Sequence, residues 1–353
     1  MISRDLLHRK IETILPRVEK PYRYLGNEVH AVRKSAEEVE LRWALIFPEV
    51  YEIGMSWTGQ QILYHLLNAH PGTAAERAYA FWPDMEALLR EEGIPAFSLE
   101  TWTPLAEFDI VGFTLQYELI FTNILTLLDL AGIPLRAADR TEAHPLIVAG
   151  GPVAFNCEPI ADFLDAVVLG DGEDAILEIT ETCRAGKRAG TPRRELLRRL
   201  AQIPGVYVPS LYRIEYKTAA GADWGLPAIR TVEALDGAPS RVRRRWVEDL
   251  DRVPFPANPL VPLGSTVHNR LGIEVQRGCT RACRFCQAGY VYRPERQRDP
   301  RRVRALAQAA LQSTGHDEIS LLSLSIGDYG CLDALLDDLA RPACGQTAPV
   351  AVS

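Results

Sequence analysis

The amino-acid sequence predicts an α/β protein: a doubly wound parallel sheet, then a linker, then the first units of a second β/α series. Two observations carry this prediction. Apolar runs of strand length alternate with amphipathic stretches of helical spacing, first over residues 41–185 and again after residue 271. Glycines follow several of the predicted strands, where parallel strands turn into the helices that cover a sheet.

Proline content and polarity divide the chain into four regions. A polar leader holds a predicted helix at residues 4–14, which Pro16 ends. The segment 254–259 contains three prolines and is a stiff connector. The predicted regions are the leader at 1–40, the doubly wound domain at 41–204, a β-containing linker at 205–262 and a partial second domain at 263–353.

The spacing of apolar residues gives the elements of the first domain. Ile62, Leu63 and Leu66 recur at helical spacing, and the stretch that begins with Pro83 stops before Gly93, as a helix should. In chain order the predicted elements are a strand at 41–47, helices at 56–68 and 83–92, a strand at 109–115, a helix at 117–131, strands at 146–149 and 166–169, and a helix at 173–184.

A second β/α pattern begins after the connector. Its first predicted strand leads directly into a cysteine-rich loop, and two helical stretches follow at the usual spacing of β/α units. The predicted elements are short strands within 206–216, a strand at 271–276, a helix at 300–312, a strand at 318–326, a helix at 331–340 and the start of a third strand at 348–353.

Charge and hydropathy exclude several classes of protein. The formal net charge of −7 at pH 7 argues against a basic protein that coats nucleic acid. The opening residues lack the apolar core of a signal peptide, and no apolar run is long enough to span a membrane. The sequence therefore predicts a cytoplasmic protein without a membrane partner.

Three of the seven cysteines, Cys279, Cys283 and Cys286, lie within eight residues at the spacing C-x3-C-x2-C. This crowding and the odd total do not fit a disulfide framework and indicate metal or redox chemistry. Three thiolates suit an iron–sulfur cluster, in which one iron of four stays open. A structural zinc site needs four ligands, so zinc is the alternative if a fourth is recruited. Candidates for that fourth ligand are His268, His316 and Cys331.

With Phe285 before its last cysteine and a strand before its first, the motif resembles the signature of the radical S-adenosylmethionine superfamily. The resemblance implies that the three cysteines ligate a 4Fe–4S cluster whose open iron holds S-adenosylmethionine, with Phe285 near the adenine. It also implies a 5′-deoxyadenosyl radical that abstracts hydrogen from a substrate. Ser325, Gly327 and Asp328 stand where that family has a glycine-rich motif that contacts the methionine amine. The alternative is an ordinary turn with a helix cap.

The first domain resembles the flavodoxin-like cobalamin-binding domain that many radical S-adenosylmethionine enzymes carry. The residues in place of that domain's fingerprint are Tyr51, Gly54, Thr114, Gly150 and Gly151. Tyr51 replaces the histidine that would ligate cobalt, so that ligation is not available from this position. The resemblance implies cobalamin as a further cofactor. The alternative is a docking or regulatory domain that binds no corrin.

The whole chain resembles radical S-adenosylmethionine proteins with an N-terminal cobalamin-binding-like domain, a family whose substrate is not established. A six-unit barrel needs roughly 190 residues at the usual size of a β/α unit, whereas 83 residues follow residue 270. The sequence thus predicts an incomplete, C-terminally truncated barrel. The predicted function is radical chemistry on an unknown substrate. The alternatives are a non-catalytic fragment or binding module, and a zinc-ligated structural protein.

Two partners besides the substrate are considered at this point. The resemblance implies an electron donor such as flavodoxin or ferredoxin. Nine arginines between Arg277 and Arg304 are consistent with contact to RNA phosphates. The alternative is a solvated face, or arginines that neutralise the charge of a cluster and cofactor.

Overall fold

A computed structural model describes residues 3–217, 229–340 and 350–352. The helices, in chain order, are α1 Arg4–Ile14, α2 Tyr51–Gly54, α3 Thr58–Ala69, α4 Pro83–Glu92, α5 Phe121–Leu130, α6 Glu173–Ala189, α7 Arg193–Leu200, α8 Ala288–Val291, α9 Pro300–Thr314 and α10 Leu332–Ala340. The strands are β1 Leu41–Phe47, β2 Thr73–Tyr79, β3 Ile110–Thr114, β4 Leu146–Gly150, β5 Ala166–Val168, β6 Val206–Tyr207, β7 Tyr212–Tyr216, β8 Ile229–Ala234, β9 Leu271–Glu274, β10 Gln276–Arg277, β11 Arg296–Gln297, β12 Ile319–Leu322 and β13 Val350–Val352.

The first sheet confirms the predicted doubly wound architecture. Its strand order is β2-β1-β3-β4-β5-β6, in which β1 to β5 are parallel and β6 is antiparallel to β5. The order 2-1-3-4-5 is that of flavodoxin-like folds, and its switch point lies between β1 and β3. Ligands of such sheets bind in the crevice outside the carboxyl ends of the strands at this point.

Helices cover both faces of this sheet, because alternate residues of each strand point to opposite sides. On β1, Ala44 and Ile46 pack with α1, α4 and α5, whereas Trp43, Leu45 and Phe47 pack with α3, α6 and α7. The Trp43 indole donates to the Thr180 hydroxyl of α6 at 3.0 Å, so the buried ring has a partner for its polar atom.

The sequence did not predict β2, which forms the edge of this sheet. Its seven residues are all buried although Glu76 and Arg77 stand at its centre. Both charges are paired: Glu76 with Arg42 at 2.5 Å, and Arg77 with carboxylates from segments on either side. These long-range ion pairs offset the free-energy cost of burying two charged side chains. The strand can therefore be buried although its sequence shows no apolar alternation.

The leader packs on the first domain. Helix α1 buries Leu7 and Ile11 in the same apolar cluster as α4. Further along, Glu28 accepts from the Arg77 guanidinium at 2.7 Å. The leader is therefore part of the first domain's core in this structure.

The second sheet contains β9, β12 and β13 in parallel, in the order β13-β12-β9. Helices α9 and α10 cover one face through a cluster that includes Ile273, Val303, Leu321 and Leu335. The strand predicted at 271–276 is shorter than expected, because the chain leaves the sheet after Glu274 and β10 pairs antiparallel with β11. The start of the third strand predicted at 348–353 is found at Val350–Val352, and residues 348, 349 and 353 lie outside the described ones.

The linker region contains an antiparallel hairpin of β7 and β8. None of the helices in the described part of the chain is both long and apolar enough to cross a membrane.

Candidate functional site

The cysteine loop, residues 278–287, joins β10 to α8. It begins with Gly278, whose φ of 87° lies in the left-handed region. A side chain there would come within 2.5 Å of the Pro294 carbonyl oxygen, so only glycine lets the start of the loop pack against the segment that follows it. This close approach fixes the backbone immediately before Cys279.

The three thiols of the loop have different surroundings. Cys279 is 8% exposed, Cys286 is half-buried and Cys283 is exposed. The Arg281 amide donates to the Cys279 sulfur at 3.4 Å, and the Gly289 amide donates to the Cys286 sulfur at 3.3 Å. Backbone donors of this kind tune iron–sulfur centres when they bond ligand sulfurs.

The three cysteines do not form a ready-made metal site in this structure. Among the described residues, no group of three histidine, cysteine, aspartate or glutamate side chains is arranged to hold a metal ion. Each of two sulfurs is bonded to a neighbouring amide, while Cys283 faces solvent. The described chain likewise gathers no fourth ligand for zinc from His268, His316 or Cys331.

The turn after β12 contacts the cysteine loop directly. Asp328 accepts from the Arg281 guanidinium at 2.6 Å and from the Ser325 hydroxyl at 2.8 Å. These two donors hold the pKa of the Asp328 carboxyl below its ordinary value. The structure therefore brings Ser325 and Asp328 to the cysteine loop.

Gly327 and Phe285 border open space at this junction. A side chain at Gly327 would meet no atom within 4 Å, and its backbone is not in the left-handed region, so neither packing nor φ requires glycine there. Phe285 is 91% exposed. The Phe285 ring and the Gly327 backbone thus contact little of their own chain. An exposed apolar side chain and an accessible glycine backbone are features expected beside a ligand.

Tyr51 and Gly54 follow β1 but are buried. The Tyr51 ring packs edge-on against Tyr22 and Tyr79, with centroids 5.8 and 5.6 Å away, and its hydroxyl accepts from the Leu263 amide at 3.1 Å. Burial raises the pKa of Tyr51 above its ordinary value. A side chain at Gly54 would lie 2.2 Å from the Tyr79 ring. These two residues pack the interior and do not line a groove.

Thr114 and Gly150 are register partners at the carboxyl ends of β3 and β4. Gly151 follows with a φ of 132°, and a side chain there would lie 2.5 Å from the Leu115 carbonyl oxygen. The backbone of β3 therefore explains the need for glycine at position 151. All five fingerprint positions lie at the carboxyl ends of the neighbouring strands β1, β3 and β4. Three of them, Tyr51, Gly54 and Gly151, are explained by packing within the chain.

Sequence reasoning missed a set of exposed apolar side chains at the same edge of the sheet. Leu119, 84% exposed, lies in the connection that follows β3, and the others are less exposed. The set comprises Trp57 after β1, Tyr117 and Leu119 after β3, and Phe155 after β4. Their apolar character was visible in the sequence, but their exposure depends on the tertiary fold.

Several arginines of the segment 277–304 are bound to carboxylates of the chain. Arg277, Arg296 and Arg298 are all largely buried. Arg277 and Arg296 contact Asp171 and Glu173, which follow β5. These contacts join the base of the cysteine loop to the first domain, and no spacing in the sequence indicates them.

A cavity of about 170 Å³ lies where β9 and β12 face the first domain. Its lining includes Thr58 and Gln61 of α3 together with Gly272, His316 and Ser320. It occupies the face of the second sheet opposite α9 and α10.

Comparison with known proteins places a radical S-adenosylmethionine family model on the first domain. Residues 59–209 match the model described as radical SAM proteins, N-terminal. An uncharacterized protein of Methanocaldococcus jannaschii is 22% identical over 302 residues, which are 84% of this chain and 52% of that protein. The chain thus spans about half the length of this relative.

Two solved structures of TsrM from Kitasatospora setae, a radical S-adenosylmethionine methyltransferase, are also similar. One contains cobalamin and a [4Fe–4S] cluster; it matches with a TM-score of 0.49 and 16% identity over 85% of this chain and 51% of that chain. The other contains tryptophan substrate and a S-adenosylmethionine analogue, and has a TM-score of 0.48 and 14% identity over the same shares of the two chains.

Proposed function

We propose that this chain, which carries the N-terminal domain of radical S-adenosylmethionine proteins over residues 59–209, binds a [4Fe–4S] cluster and S-adenosylmethionine at its cysteine loop. The cluster ligands are Cys279, Cys283 and Cys286. The observation that carries the proposal is the position of their loop, which follows the first strand of a parallel β/α series and contacts the turn after the second strand through Arg281. The reaction is generation of a 5′-deoxyadenosyl radical for an unknown substrate.

The donor set of the loop fits an iron–sulfur cluster. Thiolates are the ligands such clusters use, and amide donors already point at two of the three sulfurs. When bound, a cluster with three cysteine ligands supplies one open iron and the single electron that cleaves the sulfonium of S-adenosylmethionine. The exposure of Cys283 leaves that sulfur free to turn toward iron.

The residues around the loop bind and orient the second cofactor in this proposal. Asp328 accepts a hydrogen bond from the methionine ammonium, in place of or beside Arg281. The bare backbone at Gly327 lets the ligand approach closely, and the exposed Phe285 ring packs on the adenine. An electron donor such as flavodoxin or ferredoxin reduces the cluster.

Iron uptake tests the ligand set. After anaerobic reconstitution we expect about four irons and a brown chromophore per chain. Cys283→Ala loses both, whereas Cys331→Ala, which removes an exposed cysteine outside the loop, retains them. Uptake of a single zinc without visible absorption would favour the zinc alternative. Equal iron content in the two variants would contradict the proposed ligands.

We further propose that the carboxyl edge of the first sheet binds cobalamin without a cobalt ligand from Tyr51. The exposed apolar residues Trp57, Tyr117, Leu119 and Phe155 support this, since a corrin presents a broad apolar surface. Buried Tyr51 is bonded to the Leu263 amide and has no free ligand to offer.

Titration with hydroxocobalamin tests this second proposal. We expect quenching of tryptophan fluorescence and a corrin spectrum that Tyr51→Phe leaves unchanged. Leu119→Asp weakens binding, whereas Val232→Asp, at an exposed apolar position of the β7–β8 hairpin, does not. Absence of any spectral or fluorescence change in the unaltered chain would leave the first sheet as a docking or regulatory domain.

A further inference from the structure

The base of the cysteine loop is a two-stranded ribbon made of β10 and β11. Arg277 of β10 and Arg296 of β11 are register partners in this antiparallel pair. Like charges directly opposite each other destabilise a strand pair. Glu274, three residues earlier, pairs with Arg277 at 2.8 Å, and the ribbon needs further negative charge from elsewhere in the molecule.

That charge comes from the turn after β5, residues 170–173, which we call the acidic turn. Asp171 accepts from the Arg296 guanidinium at 2.6 Å, and Glu173 accepts from the Arg277 guanidinium at 2.6 Å. Arg277 also lies 3.5 Å from Asp171. All four side chains are 12% exposed or less, so these pairs are shielded from water and salt.

The acidic turn is itself rigidly held. The Val247 amide donates to Asp171 at 2.8 Å, and the Asp171 amide donates to the Arg245 carbonyl at 3.0 Å. Gly170 has a φ of 112°, and a side chain there would lie 1.9 Å from that same carbonyl oxygen. The turn is thus a fixed point of the first domain.

The ribbon in turn places the first thiol of the loop. Cys279 lies two residues after Arg277, and Gly278 between them packs against the carbonyls of Tyr292 and Pro294. A ribbon released from the acidic turn would leave Arg296 without its carboxylate partner and Arg277 with Glu274 alone. The backbone at Gly278 and the buried Cys279 sulfur would then lose their support.

We propose that the acidic turn is a clamp through which the first domain holds the cysteine loop, with Asp171 and Glu173 as positioning residues for Cys279. The inference deepens the proposed function, on which the role of the thiols rests. The contacts that form the clamp are made by the chain without any bound iron. The first domain therefore fixes the starting point of the loop before any cofactor arrives.

Amide hydrogen exchange of the iron-free 353-residue chain tests the clamp. In Asp171→Asn we expect peptides that cover residues 275–298 to exchange roughly tenfold faster, because a partner of two buried guanidinium groups is lost. Peptides that cover β1 and β3 keep their wild-type rates. The matched control is Asp174→Asn, which removes an exposed carboxylate that pairs with Arg245 and changes none of these rates.

Alkylation with iodoacetamide gives a second readout on the same chain. We expect Asp171→Asn to raise the rate at Cys279 relative to Cys283, which is exposed in either case. Cys157 and Cys183, whose pKa burial raises to about 12, stay unreactive as long as the first domain is folded. Unchanged exchange and unchanged Cys279 alkylation in Asp171→Asn would overturn the proposal.

If Cys157 and Cys183 become reactive in Asp171→Asn, that variant has unfolded and Glu173→Gln decides instead. It keeps Asp171 and removes only the contact with Arg277. We expect faster exchange of the ribbon in Glu173→Gln and partial rescue by Glu173→Asp, which keeps the carboxylate. Equal rates in these two variants and the unaltered chain would overturn the clamp. Because no iron is present, neither result depends on whether the thiols bind a cluster.

Discussion

At the scale of single residues, Gly151 and Gly327 both follow strands but differ in what the missing side chain makes room for. Gly151 has a positive φ and lies against the Leu115 backbone, whereas the space around Gly327 is open. We expect Gly151→Ala to lower the free energy of unfolding by about 1–3 kcal/mol, and Gly327→Ala to change it by less than about 0.5 kcal/mol. Denaturant unfolding of the two variants measures this contrast.

Gly327→Ala also tests the proposed S-adenosylmethionine site. A methyl group in the open space would weaken binding roughly tenfold, equivalent to about 1.4 kcal/mol. Calorimetric titration of the reconstituted chain measures the affinity. Unchanged affinity together with unchanged stability would mean that the ligand does not approach this backbone.

Arg77 is a fully buried charged residue of the first domain. Its side chain is 1% exposed and donates to Glu100 at 2.6 Å and to Glu28 at 2.7 Å. Removing one partner of a buried ion pair leaves uncompensated charge, so we expect Arg77→Ala to cost about 3–5 kcal/mol.

The exposed pair of Arg213 and Glu233 on the β7–β8 hairpin is the control for Arg77. Arg213→Ala should cost less than about 1 kcal/mol, since exposed pairs are screened by water. Urea unfolding of both variants measures the difference. A similar cost for the two would mean that the contacts of Arg77 are replaced by water.

At the scale of elements, the sequence predicted those whose signals are local. The bounds of β1 and α4 match the prediction, because β1 is a continuous apolar run and α4 is bracketed by Pro83 and Gly93. Strand β2 was missed because its central charges are neutralised by residues far away in sequence. Helix α7 was missed because its four arginines outnumber the two leucines it buries.

The contact between the ribbon and the acidic turn predicts a dependence on pH. Burial alone would raise the pKa of Asp171, but Arg277, the Val247 amide and Arg296 hold it below its ordinary value. A carboxyl group with a lowered folded-state pKa stabilises the fold above its unfolded pKa, near 3.9, and this contribution is lost as pH falls through the folded pKa.

We therefore expect Asp171→Asn to lower the free energy of unfolding by about 3 kcal/mol at pH 7. The difference from the unaltered chain should shrink as pH falls below about 4, where protonation of Asp171 in the unfolded chain sets in. Urea unfolding of both proteins at a series of pH values measures it. A difference that stays constant across this range would show that the charge of Asp171 is not the source of its contribution.

At the scale of the whole molecule, the three thiols could be found from their spacing in the sequence, whereas their surroundings depend on the fold. The structure brings the turn at Ser325 and Asp328 into contact with their loop through Arg281. The burial of Tyr51 and the exposure of Leu119 could not be inferred, because both depend on segments more than a hundred residues away or on the packing of the whole edge.

Cluster binding and turnover should separate in this chain of 353 residues. The ligands of the cluster are local in sequence, so the loop needs only its ribbon and the acidic turn to take up iron. Radical chemistry also needs a cavity that excludes water around the cofactor and substrate. The cavities of about 170 Å³ beside β9 and β12 and of about 600 Å³ beside α6 are not lined by any residue of the cysteine loop.

We therefore expect brown, reconstituted protein that releases little 5′-deoxyadenosine when given S-adenosylmethionine and a strong reductant. Anaerobic incubation followed by chromatographic detection of 5′-deoxyadenosine measures turnover, and iron analysis of the same sample measures cluster content. Cys283→Ala gives the background of both assays. Multiple turnovers per chain that disappear in Cys283→Ala would show that the described strands already enclose a competent site.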